Sequence, residues 1–225
     1  DEFVQNGWSL KSLHRLIVLS NTYRQSSLIR PECRDLDPEN RLLWRFNRQR
    51  LDYEGMRDAV LLTSGAIDRK IGGPSIAINE RPFSPRRTIY GFIDRQNLDP
   101  IYRTFDFAVP DATTPRRFVT TVPQQALFLM NSPFMQEQAG RLAEKIEREA
   151  VNLERPEVVR RLYRQILGRT PSDRELDRAL RLLVEAPSGH SDHPATTIAP
   201  GTHSLSPVGQ LAQVLLLTNE FAYID

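Results

Sequence analysis

From Pro133 to Leu217 the apolar residues recur three and four apart, in runs bracketed by Ser-Pro, Thr-Pro or glycine. A chain patterned this way commits most of its length to packed helices. Met135, Ala139, Leu142 and Ile146 follow Ser132-Pro133 on one face, with Glu137, Arg141, Glu144, Lys145 and Arg148 on the other. Val158, Val159, Leu162, Tyr163, Ile166 and Leu167 make a wide stripe that stops at Gly168, a residue suited to the left-handed position just past a helix. Thr170-Pro171 restarts the pattern with Leu176, Leu180, Leu183 and Val184, which predicts a helical hairpin. Ser206-Pro207 opens a last helix, apolar on nearly every side from Leu211 to Leu217. Such a helix is expected inside the core, tying the chain's ends together.

The N-terminal part carries similar signals. Ser9 is placed to cap a helix with Leu10, Leu13, Leu16 and Ile17 on one face and Trp8 stapled onto Leu13. Val18 and Leu19 fall on the other side, so this helix, with His14 on it, is expected to be covered on most faces. Asp37-Pro38-Glu39 reads as a helix start, with Leu42, Leu43 and Phe46 following. Asp52 caps another helix, with Met56, Ala59 and Val60 inward and an end near Ser64-Gly65.

Between these helical stretches the pattern breaks. Gly72-Gly73-Pro74, Pro82 and Pro85 predict a loop. Thr88 to Ile93 suits a short β-element, and Asp99-Pro100 and Val109-Pro110-Asp111 suit turns. Pro123 opens a helix through Leu129, with Thr121 as its candidate cap. No repeat and no strand–helix alternation is present. The expected fold is therefore mainly α: one globular helical domain over 1–225, with a long irregular segment, including a short β-element, wrapped over the helices. Its parts are the N-terminal helices (1–69), the irregular polar segment (70–122), helices with a hairpin (123–185), a flexible insertion rich in Pro, Ser, Thr, Gly and His (186–206) and the C-terminal core helix (207–225).

Composition limits function. At 225 residues and 40% hydrophobic content the chain can bury a sizeable core without staples. No apolar run approaches the length of a membrane span. Three of the 30 basic residues are lysine (Lys11, Lys70, Lys145) and the rest arginine, yet the net charge is only +2 and no basic block stands out. Nucleic-acid binding is not expected. The single cysteine, Cys33, excludes an internal disulfide and a CxxCH haem attachment in this chain, and no nearby residue marks it as a nucleophile.

The residues without an evident helical duty concentrate between Arg86 and Pro133. Asp94 and Asp106 are candidates for a carboxylate pair of the kind acid–base chemistry uses. Arg95, Arg103, Arg116 and Arg117 lie near them, so the same acids suit ion pairs that pin an irregular segment. Thr120-Thr121-Val122-Pro123-Gln124-Gln125 suits either an anion site at a helix start or capping and loop contacts. His190, His193 and His203 have no recognised metal-ligand spacing. Gly72-Gly73-Pro74 lacks the Lys-Ser/Thr ending of a phosphate loop. Glu220 near a helix C-terminus needs a partner, expected to be an arginine of the polar segment. The candidate polar centre is thus Arg87, Asp94, Arg95, Asp106, Arg117, Thr121, Gln124, Gln125 and Glu220, with no catalytic and no metal-binding residue assigned.

Five islands, in order along the chain, carry a resemblance. They are Trp8-Ser9-Leu10-Lys11 with Leu13-His14-Arg15-Leu16-Ile17 and Ser20; Asp37-Pro38-Glu39-Asn40-Arg41-Leu42-Leu43; Arg57-Asp58-Ala59 with Ser64-Gly65; Arg86-Arg87-Thr88-Ile89-Tyr90; and Thr121-Val122-Pro123-Gln124-Gln125-Ala126-Leu127. Asn219-Glu220-Phe221 closes the match. Together they resemble the planctomycete domain of unknown function 1553, the C-terminal module of cytochrome-c-associated proteins. The resemblance implies an exported protein, periplasmic or at the cell surface, with companion domains upstream as partners and any haem in a separate domain. Sugar-binding modules among such proteins make polysaccharide a second partner class. The family offers no agreed catalytic residues to carry over. Leu162-Tyr163-Arg164 through Gly168-Arg169-Thr170-Pro171 is also similar to a helical motif of bacterial surface and linker proteins, which favours an interaction role. The leading expectation is a structural or interaction module. The alternative is a polysaccharide-binding or polysaccharide-degrading domain around Asp94, Asp106 and Arg117.

Overall fold

The computed structural model of the protein describes residues 1–150, 153–185 and 205–224. The insertion expected at 186–206, with its three histidines, lies almost wholly outside the described residues. Twelve helices and one two-stranded sheet are present among the described residues, so the chain is mainly α. It forms two compact units, Asp1–Arg50 with the strand Tyr223–Ile224, and Leu51–Ala222.

The first unit contains α1 (Glu2–Gln5), α2 (Leu10–Leu19), α3 (Asn21–Arg24), α4 (Pro31–Leu36) and β1 (Gln49–Arg50), which pairs antiparallel with β2 (Tyr223–Ile224). Ser9 caps α2 as expected, accepting from the Ser12 N–H at 3.3 Å. Trp8, just ahead of that cap, is left-handed (φ 60°) and largely exposed, and its ring meets Phe3 edge-on at 5.3 Å. Helix α2 is not covered: it contains no buried residue, and His14 is exposed.

The helix expected after Asp37-Pro38-Glu39 does not form. Asn40 and Leu43 are left-handed, with φ 56° and 54°, which ends any helix there. The Asp37 carboxylate accepts from the N–H groups of Leu42 (2.8 Å) and Arg41 (3.0 Å), taking donors a helix would use. Those bonds, that of Leu42 first, hold its carboxyl below the ordinary range. Asn40, 3% exposed, donates to the Arg45 carbonyl (2.8 Å) and to Asn47 Oδ1 (3.0 Å). Trp44 donates to the Asp37 carbonyl (2.8 Å) and lies beneath the guanidiniums of Arg30 and Arg45. This knot replaces an apolar core: among the described residues of this unit only Ser27 and Asn40 are buried.

The second unit holds α5 (Tyr53–Ser64), α6 (Pro100–Thr104), α7 (Pro123–Asn131), α8 (Pro133–Glu149), α9 (Arg155–Leu167), α10 (Asp173–Glu185), α11 (Pro207–Leu216) and α12 (Asn219–Ala222). Asp52, Ser132 and Ser206 cap their helices by accepting from Gly55, Met135 and Gly209. Gly65 (φ 75°) and Gly168 (φ 71°) end α5 and α9 in the left-handed region, where a Cβ would be strained. Helix α8 is the hub, packing against α5, α7, α9 and α11. Its buried face is Met135, Gln138, Ala139, Leu142, Ala143 and Ile146. One buried polar contact crosses it: Ser64 Oγ donates to Gln138 Oε1 at 2.8 Å. The last long helix does enter the core, through Leu211, Ala212, Leu215 and Leu216, while Val214 stays half exposed.

Residues 66–122 wrap over these helices as expected, but the short β-element at 88–93 is instead a 3-10 turn, Thr88–Tyr90. Only two isolated bridges, Asp68–Arg86 and Ile76–Gly91, bring strand-like pairing to this segment. The Thr88 N–H bonds the Asp58 side chain of α5, and the Tyr90 carbonyl and Phe92 N–H pair with the Ile76 backbone.

Glu220 finds its cation outside the polar segment. Its partner is Arg169, just past α9. Arg169 Nη2 donates to Glu220 Oε2 and Glu175 Oε1, each at 2.7 Å, and Nη1 donates to Glu175 Oε2 at 2.9 Å. The Arg169 fork, helped by the Ser172 N–H, holds the Glu175 carboxyl at about 2. A carboxyl depressed in the folded state stabilises above its ordinary value of 4.5, and that contribution is lost as pH falls towards 2. The groups are about a third exposed, so screening keeps the whole contribution near about 1 kcal/mol. Arg169→Met is expected to remove it at pH 7. Urea titrations should show the mutant and parent converging between pH 4.5 and 2; a gap unchanged across that range would refute the assignment.

Candidate functional site

The residues that organise the polar segment sit on α5. Arg57 occupies a position on the same stripe as Tyr53, Met56, Val60 and Leu61, and is 2% exposed. Its Nη1 donates to the Arg86 carbonyl (3.1 Å) and to Thr88 Oγ1 (3.2 Å). Its Nη2 donates to the carbonyls of Ser84 (2.7 Å) and Ile78 (3.4 Å). The guanidinium stands 5.0 Å from the centre of the Phe134 ring. Burial lowers its pKa. Asp58, the next residue, accepts from the Thr88 N–H and hydroxyl, both at 2.7 Å, and from Arg87 Nε at 3.1 Å. Two consecutive side chains thus fix residues 78–88 against the helix.

The nine residues of the expected polar centre are placed separately. Arg87 pairs with Asp58. Asp94 accepts from the N–H groups of Gln96 (2.9 Å) and Asn97 (3.3 Å), closing a turn. Asp106, in the left-handed region, accepts from the Thr120 N–H at 2.7 Å and from its hydroxyl at 2.9 Å. Arg117 Nη1 donates to both Glu54 oxygens (2.9 and 3.0 Å), with Asp52 at 3.7 Å and the Phe107 ring centre 4.5 Å away. Gln125, 1% exposed, donates to the Thr104 carbonyl at 2.9 Å. Arg95, Thr121 and Gln124 are exposed. The cap position of α7 belongs to Val122, not Thr121, and no side chain caps it. Asp94 and Asp106 share no hydrogen-bond partner, and Glu220 is held by Arg169.

Two cavities of the second unit border Asn79 and Asp99. The first, about 380 Å³, is walled by Met56, Val60, Ile78, Phe83, Phe128 and Phe134, with Arg57, Arg81, Asn79 and Asp99 as its polar lining. None of the nine predicted residues lines it. The second, about 370 Å³, is lined by Glu80, Asp94, Asn97 and Asp99 among others. Asn79 and Asp99 border both. Tyr53 donates to Asn79 Oδ1 (2.7 Å), Asn79 Nδ2 donates to Asp99 Oδ2 (3.0 Å), and Asp99 Oδ1 caps α6 at the Ile101 N–H (2.9 Å). Burial, first of all, raises the Tyr53 and Tyr102 hydroxyls beside this chain, so both are neutral. Sequence reading missed Tyr53, Arg57, Asn79 and Asp99. The available signal was an arginine at an apolar position of the α5 stripe.

Among the described residues, no three His, Cys, Asp or Glu side chains gather as a metal site would require. His190, His193 and His203 lie outside the described residues. Cys33 is a free, half-buried thiol. Also among the described residues, no helix is long and apolar enough to cross a membrane.

In the first unit, a groove of about 440 Å³ runs between α1 and α2, with Phe3, Leu13, Leu16 and Leu19 along it. Leu10, Leu16, Ile17, Val18 and Leu19 are each roughly half exposed or more. The sequence profile of the family described as "Protein of unknown function (DUF1553)" matches residues 1–183, from ahead of α1 through most of α10. The chain belongs to that family. No curated protein and no solved structure matches it. The islands at 8–20, 37–43, 57–65, 86–90 and 121–127 lie within the matched residues, whereas Asn219-Glu220-Phe221, expected to close the match, lies outside them. In this structure those islands are α2, the Asp37–Asn40 knot, the Arg57–Asp58 anchor, the loop it holds and the start of α7.

Proposed function

We propose that this DUF1553 chain is a structural and interaction module of a longer exported polypeptide associated with a c-type cytochrome, and that it docks on a companion domain through α2. The observation that carries the reading is α2 itself. A ten-residue helix with six large aliphatic side chains, five of them exposed, and no buried residue is unusual for a finished surface. Export and cytochrome association rest on the family resemblance alone.

The polysaccharide reading around Asp94, Asp106 and Arg117 has less behind it. Asp106 and Arg117 satisfy Thr120 and Glu54, and Asp94 closes a turn.

The test compares amide exchange of residues 10–19 in this chain and in the full polypeptide. Docking predicts at least about tenfold slower exchange in the full polypeptide, reversed by Leu16→Glu with Ile17→Glu. Equal exchange in both would end the proposal.

A further inference from the structure

We propose that the first cavity of the second unit binds a small aromatic carboxylate, its ring among Phe83, Phe128 and Phe134 and its carboxylate on Arg81. This inference is independent of docking through α2 and uses a different unit of the chain.

Three observations carry it. First, the cavity has the size and the walls of a small-molecule site: about 380 Å³, lined by apolar and aromatic side chains and a few polar groups. Phe83 and Phe134 already meet edge-on at 5.5 Å, and Phe128 meets Phe105 edge-on at 5.8 Å. Aromatic side chains in this arrangement favour a flat ring as guest.

Second, the cavity's charge is positive. Arg57 and Arg81 line it against the single carboxylate Asp99. Asp99 is occupied by Asn79 and by the cap of α6. Arg57 has no carboxylate within ion-pair distance among the described residues and spends its Nη donors on three carbonyls and a hydroxyl. Its charge is therefore uncompensated by direct pairing, while its donors are taken. A guest anion gains from its field without displacing it.

Third, Arg81 is a cation without a polar partner. It makes no hydrogen bond or ion pair to another described residue, although most arginines of this unit do. Its guanidinium lies 5.9 Å from the centre of the Phe83 ring, which holds it beside the cavity. A planar fork next to an aromatic wall suits a carboxylate attached to a ring.

Asp99, the one carboxylate among the lining residues, argues against a second anion in the site, so the guest's single carboxylate goes to Arg81. Met56, Val60 and Met135, which also line the cavity, carry no charge and suit the apolar part of the guest.

The probe is biphenyl-4-carboxylate, titrated calorimetrically into the full chain, with its neutral hydroxymethyl and cationic aminomethyl analogues alongside. The carboxylate is expected to bind with Kd below about 1 mM and to shift the methyl resonances of Met56, Ile78 and Met135. Arg81 is exposed, so Arg81→Ala should leave the fold intact. It should weaken the carboxylate about tenfold and leave the hydroxymethyl analogue unchanged. Phe128→Ala should weaken both. No saturable binding, an affinity indifferent to Arg81→Ala, or tighter binding of the aminomethyl analogue would each overturn the proposal.

Discussion

Replacing Arg57 with methionine is expected to lower the unfolding free energy of the second unit by about 4 kcal/mol. Methionine retains the straight stem against Met56 and Val60 but supplies none of the four hydrogen bonds. The carbonyls of Ile78, Ser84 and Arg86 and the Thr88 hydroxyl then lose a charged donor at once. Each buried acceptor left without a partner costs on the order of 1 kcal/mol or more. Arg57→Lys keeps the charge and loses the planar fork, so one ammonium cannot span acceptors on both sides; a loss of about 2–3 kcal/mol is expected. The order parent, lysine, methionine is the diagnostic result in urea unfolding followed by far-ultraviolet circular dichroism. Exchange of the Thr88 amide should accelerate in the same order, because Asp58 can hold that amide only while the 78–88 loop stays on the helix. If both variants cost less than about 1 kcal/mol, Arg57 is not the anchor of this segment.

That outcome bears on what the sequence could reveal. Helix boundaries were legible wherever one residue's own chemistry sets them: Asp52, Ser132 and Ser206 as caps, Gly65 and Gly168 as left-handed ends. They were illegible where a side chain acts across the chain. Asp37-Pro38 has the composition of a helix start, yet its carboxylate takes the Arg41 and Leu42 amides, and Asn40 turns the backbone left-handed. Thr88 to Ile93 has the composition of a strand, yet Arg57 and Asp58 take the Thr88 hydroxyl and amide, and only an isolated bridge to Ile76 forms. The Gly- and Pro-rich, polar stretch over 70–122 marked an irregular segment interrupted among the described residues only by the short turn Thr88–Tyr90 and α6. It did not show which partner each polar residue takes, since those pairings join residues up to 63 positions apart, as in Arg117 with Glu54. The cavity was hidden for the same reason. Its walls come from α5, from 78–83, from the start of α6 and from the α7–α8 junction, none of which announces the others.

Leu142→Ala is the largest apolar effect to expect, about 3–4 kcal/mol. Leu142 has no exposed surface and sits midway along α8, the helix that α5, α7, α9 and α11 all touch. Truncation removes the transfer free energy of three carbons and leaves a void bordered by helices that are held elsewhere. Collapse around the void would require α11 to move inward, but its Ser206 cap and its buried Leu211, Leu215 and Leu216 fix its depth. The cost should therefore fall in the upper part of the usual range. Val214→Ala on the same pair of helices is the control: that side chain is 50% exposed and should cost under about 1 kcal/mol. Urea midpoints for the two variants, at unchanged slope, decide it. Similar costs would mean that α11 tolerates inward movement at Leu142. A large gap would mean that α8 is a rigid hub, and that the cavity beside Met135 on its first turn is held open by the core rather than by its own lining.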